Sequence, residues 1–271
     1  MAINRSAHVN SHGAGFVSHV DFDSVIGISY INRLKTEYSA LKSRKLVIAI
    51  DGPAASGKST TAKLIADRLN YLHVDTGAMY RAMTLKVLQA NVNPDDQKSI
   101  EGLAEKTEIR FRREGGEVRV LLDDQDVTAG IRSRAVTKAV SAVSSVRKVR
   151  EVMVREQRKM GGESSIVLEG RDIGTVVFPD ADLKIFMLAN PEERARRRQR
   201  ELMQQGVDIE LDTLQKEIVE RDNYDSRRDI SPLKKADDAI VLDTSNMSIE
   251  QQVEFIVNKV REILRHSAGK N

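Results

Sequence analysis

Five aliphatic residues, Leu46-Val47-Ile48-Ala49-Ile50, run into the string GPAASGKST at Gly52 to Thr60, and an amphipathic stretch from Thr61 to Leu69 follows it. The aliphatic run suits a strand buried on both faces, and the stretch after it suits a helix. The string between them satisfies G-x-x-x-x-G-K-[ST] from Gly52 to Ser59. In that pattern Gly52 and Gly57 permit a tight backbone, through Pro53, Ala54, Ala55 and Ser56, whose N–H groups turn inward as an anion cradle. Lys58 is expected to reach the β- and γ-phosphates of a nucleotide. Ser59 offers a hydroxyl to Mg²⁺, and the helix opening through Thr60 presents its positive end to the same anion. A glycine-rich turn alone is weak; strand, loop and helix in this order make a phosphate-binding P-loop.

Past Leu46, short apolar runs alternate with helical patterns, the signature of a parallel sheet covered on both faces. Core strands are expected at Leu46–Ile50, Leu72–Val74, Ser165–Leu168, Leu183–Leu188 and Ala239–Leu242. Between the second and third, Thr107–Arg113 and Val118–Asp123 flank Glu114-Gly115-Gly116-Glu117 and read as a β-hairpin. A small antiparallel sheet inserted there suits the gripping of a second substrate. One helix is expected from about Arg134 to Met160, ended by Gly161-Gly162, and another from Pro191 with Asn190 as its cap. Residues 1–44 are polar and mixed; they read as a loosely ordered extension, with a short helix around Ile31–Leu41 as its one patterned part. Asp21, Asp23 and Glu37 argue against an organellar targeting peptide.

Composition narrows the chemistry. The chain has no cysteine, which removes disulfides, thiolate metal sites and thiol catalysis, and its five histidines show no zinc-ligand spacing. No apolar run approaches the roughly 20 residues that span a bilayer, and no secretory pattern opens the chain, so a cytoplasmic protein without membrane association is expected. A net charge of +3 is too small, and an aromatic content of 4% too low, to expect nucleic-acid binding. Arginines facing a small anionic ligand account for the same balance.

Three further segments place charge where strands end, which in an open α/β sheet is the ligand crevice. Asp75-Thr76-Gly77-Ala78-Met79-Tyr80-Arg81 leaves one strand, and Arg81 falls one turn into the next helix, facing either phosphate or solvent. Leu168 to Thr175 leaves another with Glu169, Arg171 and Asp172, for which a turn salt bridge between Arg171 and Asp172 is the alternative. In Glu210 to Asp229, Leu211, Leu214 and Ile218 mark an inward stripe that continues onto Arg221, Asp225 and Arg228. The helix end then borders a polar cleft, or Arg221 and Asp225 form a surface pair, and Ser231-Pro232 stops the helix. The run Glu192 to Arg200 is too basic on every side for a packed helix; it reads as a solvated face or a nucleic-acid patch, but beside a P-loop it suits a mobile lid closing arginines over ATP.

Taken together, GPAASGKST, DTGAMYR, the hairpin, GRDIGTVVFPDADLKIFMLA, EERARRR, ERDNYDSRRDISPL and KADDAIVLDTS resemble the bacterial-type cytidylate kinases, which belong to the nucleoside monophosphate kinases, from about Lys45 to Leu264. The resemblance implies an α/β P-loop fold with a five-stranded parallel sheet, an inserted antiparallel monophosphate-binding region (about 90–150) and a helical lid (about 190–208) within a domain of residues 45–267. It implies transfer of the γ-phosphoryl group of ATP to CMP or dCMP with Mg²⁺, by a monomer. Carried over by position, Arg81, Arg171 and Arg228 hold the acceptor phosphate, and Ser141, Arg150 and Asp172 contact cytosine. Arg221 and Asp225 hold the sugar hydroxyls, Thr76 stands where the family has Ser or Thr, and Arg194, Arg197 and Arg198 match lid arginines. Glu169 stands where family members often carry Asp, and residues 1–44 have no counterpart in the family's usual short N-terminus.

Overall fold

The computed structural model describes residues 45–268 save Gly116 and Gln205, so the extension and its expected helix lie outside the described residues. Strand β1 (Val47–Asp51) is followed by helix α1 (Lys58–Leu69), β2 (Leu72–Asp75), α2 (Thr76–Gln89) and α3 (Gln97–Ala104). Next come β3 (Ile109–Glu114), β4 (Glu117–Leu122) and β5 (Gln125–Asp126), then α4 (Arg134–Ser145) and α5 (Arg147–Glu163). The chain continues with β6 (Ile166–Gly170), a π-helical turn (Ile173–Val177), β7 (Leu183–Leu188), α6 (Pro191–Met203), α7 (Leu211–Arg227), β8 (Ile240–Asp243) and α8 (Ile249–Ala268).

Strands β2-β6-β1-β7-β8 form a five-stranded parallel sheet, and β3-β4-β5 a separate antiparallel one. Central β1 is apolar without interruption because neither face meets water: Ile48, Ala49 and Ile50 are fully buried. All five expected core strands form, shifted by a residue or two. The antiparallel sheet lays Ile109, Phe111, Val120 and Leu122 onto the core that also holds Met79, Met83, Val149 and Leu168. It is thus packed into the domain, and the candidate acceptor residues Ser141 and Arg150 come from α4 and α5 beside it.

The helix expected over Arg134–Met160 is two helices. Buried Val146 is extended, at φ −65° and ψ 124°, and ends α4 as it begins α5. The hydroxyls of Ser144 and Ser145 donate to the carbonyls of Ser141 and Ala142 at 3.2 and 2.7 Å, satisfying groups that a continuing helix would have used. Gly161-Gly162 does not stop α5 but lies inside it; Gly161 leaves room for the Phe178 ring, which any Cβ there would enter. Helix α7 likewise stops at Arg227, before Ser231-Pro232, because Arg228 is already extended at ψ 138°.

The basic run from Glu192 to Arg200 does pack, contrary to expectation. Asn190 caps α6 by accepting the Glu193 N–H at 2.8 Å. Ala195 is fully buried against Leu214 and Ile218 of α7, while Arg196 and Arg200 stay exposed. Arg194 beside Ala195 is also buried, its charge met by Asp222, and Leu202 packs against the same apolar cluster.

Glycine-to-alanine changes separate helix propensity from packing. Gly102, exposed in α3 with nothing near its Cβ position, should gain roughly 0.5–1 kcal/mol in Gly102→Ala. Gly161→Ala should lose stability in spite of the same propensity gain, and urea midpoints of both variants check the opposite signs.

Candidate active site

The loop after β1 folds tightly because Gly52 adopts φ +149° and lies against β7, where a Cβ would collide with the Met187 carbonyl oxygen. Gly57, at φ +98°, then starts α1. Asp51, buried at the end of β1, accepts the N–H groups of Ile173 and Gly174, both at 2.8 Å, and so anchors the π-helical turn beneath the loop. Burial pushes this carboxyl up to about 6 against the pull of those two N–H groups.

Lys58 is 5% exposed and donates to the Pro53 carbonyl (2.6 Å) and to Ser56 Oγ (3.3 Å). Burial first, and repulsion from Arg171 next, lower its ammonium to about 7 although Glu169 and Asp51 favour the charged form. Ser59 donates its hydroxyl to Glu169 Oε2 at 2.6 Å. Thr76 is buried, its hydroxyl donating to the Glu169 carbonyl at 2.6 Å, and Gly170 has no Cβ to collide with it. Thr76, which the resemblance counts among the substrate-binding residues, ties α2 to β6 through this bond.

The arginines of the three charged segments meet beyond the strand ends. Arg81 donates from Nη2 to Asp75 at 2.8 Å, and Asp75 also caps α2 through the Ala78 N–H at 2.9 Å. Burial pushes Asp75 up, but Arg81, that N–H and His73 outweigh it, and the carboxyl lies below its usual range. Arg171 Nε donates to Asp225 at 2.9 Å, and Arg228 Nη1 lies 3.7 Å from the same carboxylate. The surface pair of Arg221 with Asp225 does not form. Instead the Nε atoms of Arg221 and Arg81 are buried with no hydrogen-bond partner among the described residues. Burial and then repulsion from Arg171 lower Arg221 to about 10, with Arg81 and Arg198 adding repulsion and Asp225 opposing it.

Asp172 pairs with Arg150, not with its neighbour Arg171. Arg150 also donates to the Ser144 carbonyl at 3.2 Å, a group freed by the helix break, and its guanidinium stands 5.1 Å from the centre of the Tyr80 ring. Ser141 lies half-buried on α4, one turn before Ser144.

Arg194 and Arg197 grip the P-loop from outside. Arg194 pairs with Asp222 and donates to the carbonyls of Ala54 (3.2 Å) and Ala189 (3.0 Å), while Asp222 accepts the Ala54 N–H at 3.2 Å. Arg197 donates to the carbonyls of Ser56 (3.1 Å) and Thr244 (2.6 Å). Arg198 pairs with Glu201 at 3.0 Å. Sequence reasoning missed Asp51, Asp222, Thr244 and His73. Asp51 carried a signal, an acid directly after a buried strand and before the first loop glycine; the others sit in segments whose partners are remote in sequence.

The family model for cytidylate kinase matches residues 48–262. The chain belongs to the cytidylate kinase family. Cytidylate kinase of Geobacter sulfurreducens is 46% identical over 231 residues, covering 85% of this chain and 99% of the relative. That of Bacillus pumilus is 51% identical over 208 residues (77% and 92%), and that of Streptococcus suis 50% over 222 residues (82% and 99%). Membership in this family makes the chain an ATP-dependent phosphotransferase. No helix of the described residues is long and apolar enough to cross a membrane.

Because burial and Arg171 lower the Lys58 ammonium to about 7, it is only partly charged at pH 8 in the free chain, and a bound polyphosphate should restore its charge. Calorimetry of ATP binding at pH 8 in buffers of different ionisation enthalpy should show uptake of a fraction of a proton. Lys58→Arg, which keeps its proton throughout, should show none. A buffer-independent enthalpy in the unaltered chain would contradict the assignment.

Proposed function

We propose that the chain transfers the γ-phosphoryl group of ATP to CMP or dCMP, giving ADP and CDP or dCDP. The observation that carries this reading is the convergence, within one crevice, of a P-loop lysine, an under-neutralised arginine cluster and a carboxylate–guanidinium pair suited to a base edge. ATP phosphates occupy the N–H cradle from Gly52 to Thr60, with Lys58 leaving its carbonyl partner for the γ-phosphate. Arg81, Arg171 and Arg228 hold the acceptor phosphate in line, and Arg221 with Asp225 holds the sugar. Arg198, whose charge already bears on Arg221, closes from α6 as part of a lid over residues 190–208, while Arg194 keeps the loop in shape. Residues 90–150 serve as the monophosphate-binding insertion.

Phosphoryl transfer needs positioning and charge neutralisation more than covalent help. The acceptor is already an anion, so no dedicated base is required. The residues present fit Mg²⁺. Ser59 spends its hydrogen on Glu169 and keeps its oxygen lone pairs for a hard cation, which the buried carboxylate beside it favours. Among the described residues no group of three His, Cys, Asp or Glu side chains could hold an ion alone. Nucleotide oxygens and water would complete the shell. When bound, Mg²⁺ supplies neutralisation of the β- and γ-phosphate charge.

Asp172 accepts from cytosine's amino group, where the uracil carbonyl meets repulsion. Assayed with ATP, CMP and dCMP should be phosphorylated far faster than UMP and AMP. Asp172→Asn, whose amide can donate to that uracil carbonyl, should lower the CMP-to-UMP ratio of kcat/KM by roughly tenfold or more, the scale of one hydrogen bond to a charged group. Equal rates across the panel would overturn the proposed reaction; an unchanged ratio in the variant would overturn the role of Asp172.

A further inference from the structure

In the parallel pair β2–β6, His73 lies opposite Val167 and Asp75 opposite Glu169, so His73 and Glu169 are diagonal neighbours on one sheet face. His73 Nε2 stands 3.1 Å from Glu169 Oε1, and the other oxygen, Oε2, receives the Ser59 hydroxyl. A carboxylate only accepts, so Nε2 carries the hydrogen and donates. The Glu169 side chain is 4% exposed and that of His73 13%, which leaves little water to replace a lost donor. Both carboxylate oxygens are thereby committed, one to the strand below and one to the helix that opens the P-loop.

We propose that His73 is a positioning residue for the Mg²⁺ of the nucleotide complex, locking Glu169 so that Oε2 faces Ser59 and the water shell of the ion. The inference rests on the reading that places the ion beside Ser59 and Glu169. A glutamate has three side-chain torsions to fix, and the Lys58 ammonium also attracts this one. Without the His73 donor, Oε1 is buried unsatisfied and the carboxylate is free to swing toward Lys58, away from the ion. Partners one step behind a metal's own ligands set such orientations throughout metal sites.

The test is Mn²⁺ binding to the complex of the enzyme with ADP, followed by electron paramagnetic resonance, with metal-free ADP affinity and the KM for CMP measured alongside. His73→Leu should weaken Mn²⁺ binding about tenfold, the lower end of effects of this kind, while leaving ADP affinity and the KM for CMP in place. His73→Gln sets an amide N–H near the Nε2 position and should keep most of the affinity; His73→Asn, too short to reach Oε1, should behave as His73→Leu and replaces it if the latter fails to fold. Mn²⁺ binding unchanged in His73→Leu or His73→Asn would overturn the proposal, as would equal weakening in His73→Gln. Glu169→Gln distinguishes the underlying reading. If it leaves Mn²⁺ affinity unchanged, the placement of the ion fails; if it weakens binding while His73→Leu and His73→Asn do not, only the role of His73 fails.

Discussion

Positive charge held close and incompletely neutralised is the constraint on which this site depends. Lys58, Arg81, Arg171, Arg221 and Arg228 meet at the strand ends, with Asp51 and Glu169 acting on Lys58, Asp75 on Arg81, and Asp225 shared among Arg171, Arg221 and Arg228. Asp225 serves both Arg171 and Arg228, and the buried Nε of Arg221 meets no acceptor. In water such charges would be solvated; burial among strand ends and packed helices strips that solvation, and repulsion from Arg171 adds to it, which is why Lys58 and Arg221 lie below their usual ranges. In the proposed reaction an incoming phosphate relieves that repulsion. The free energy released is then available for binding and for the charge that builds on the transferring group.

Keeping like charges together requires a scaffold that does not yield, and the described residues show how it is braced. The P-loop is tied by Asp222 through the Ala54 N–H and by Arg194 and Arg197 through its carbonyls, while the Thr244 hydroxyl donates to the Ser56 carbonyl at 3.0 Å. Asp51 fastens the turn after β6 to the end of β1, so Arg171 and Asp172 are presented from a fixed base. The break at Val146 has the same effect on the other side, since it frees the carbonyl that Arg150 takes. All of these braces but the last join segments far apart in sequence, and the site is correspondingly a product of the whole fold.

Much of this was legible beforehand because it follows from local chemistry. The strands showed as apolar runs, since a doubly covered sheet leaves no polar face, and the Asn190 cap and the P-loop are short patterns with one geometric meaning. The inward stripe of α7 does continue onto buried Asp225. What could not be read depended on partners elsewhere. Gly161-Gly162 looked like a stop because nothing in the string reveals the Phe178 ring that needs the space. The basic run of α6 looked unable to pack because the partners that let it do so, Asp222 and the Ala54 carbonyl for buried Arg194, Leu214 and Ile218 for Ala195, lie on other segments. Arg171 and Asp172, adjacent in sequence, each bind a partner from another element.

If the acceptor site is an arginine cluster held together against its own repulsion, removing one unpartnered member should help the fold and harm the function. Thermal unfolding of Arg221→Met, with and without CMP, measures both at once. The ligand-free variant should be as stable as the parent or more so, by on the order of 1 kcal/mol, and should lose most of the stabilisation that CMP confers. A variant that is markedly less stable without ligand, yet is still stabilised by CMP as the parent is, would contradict the account.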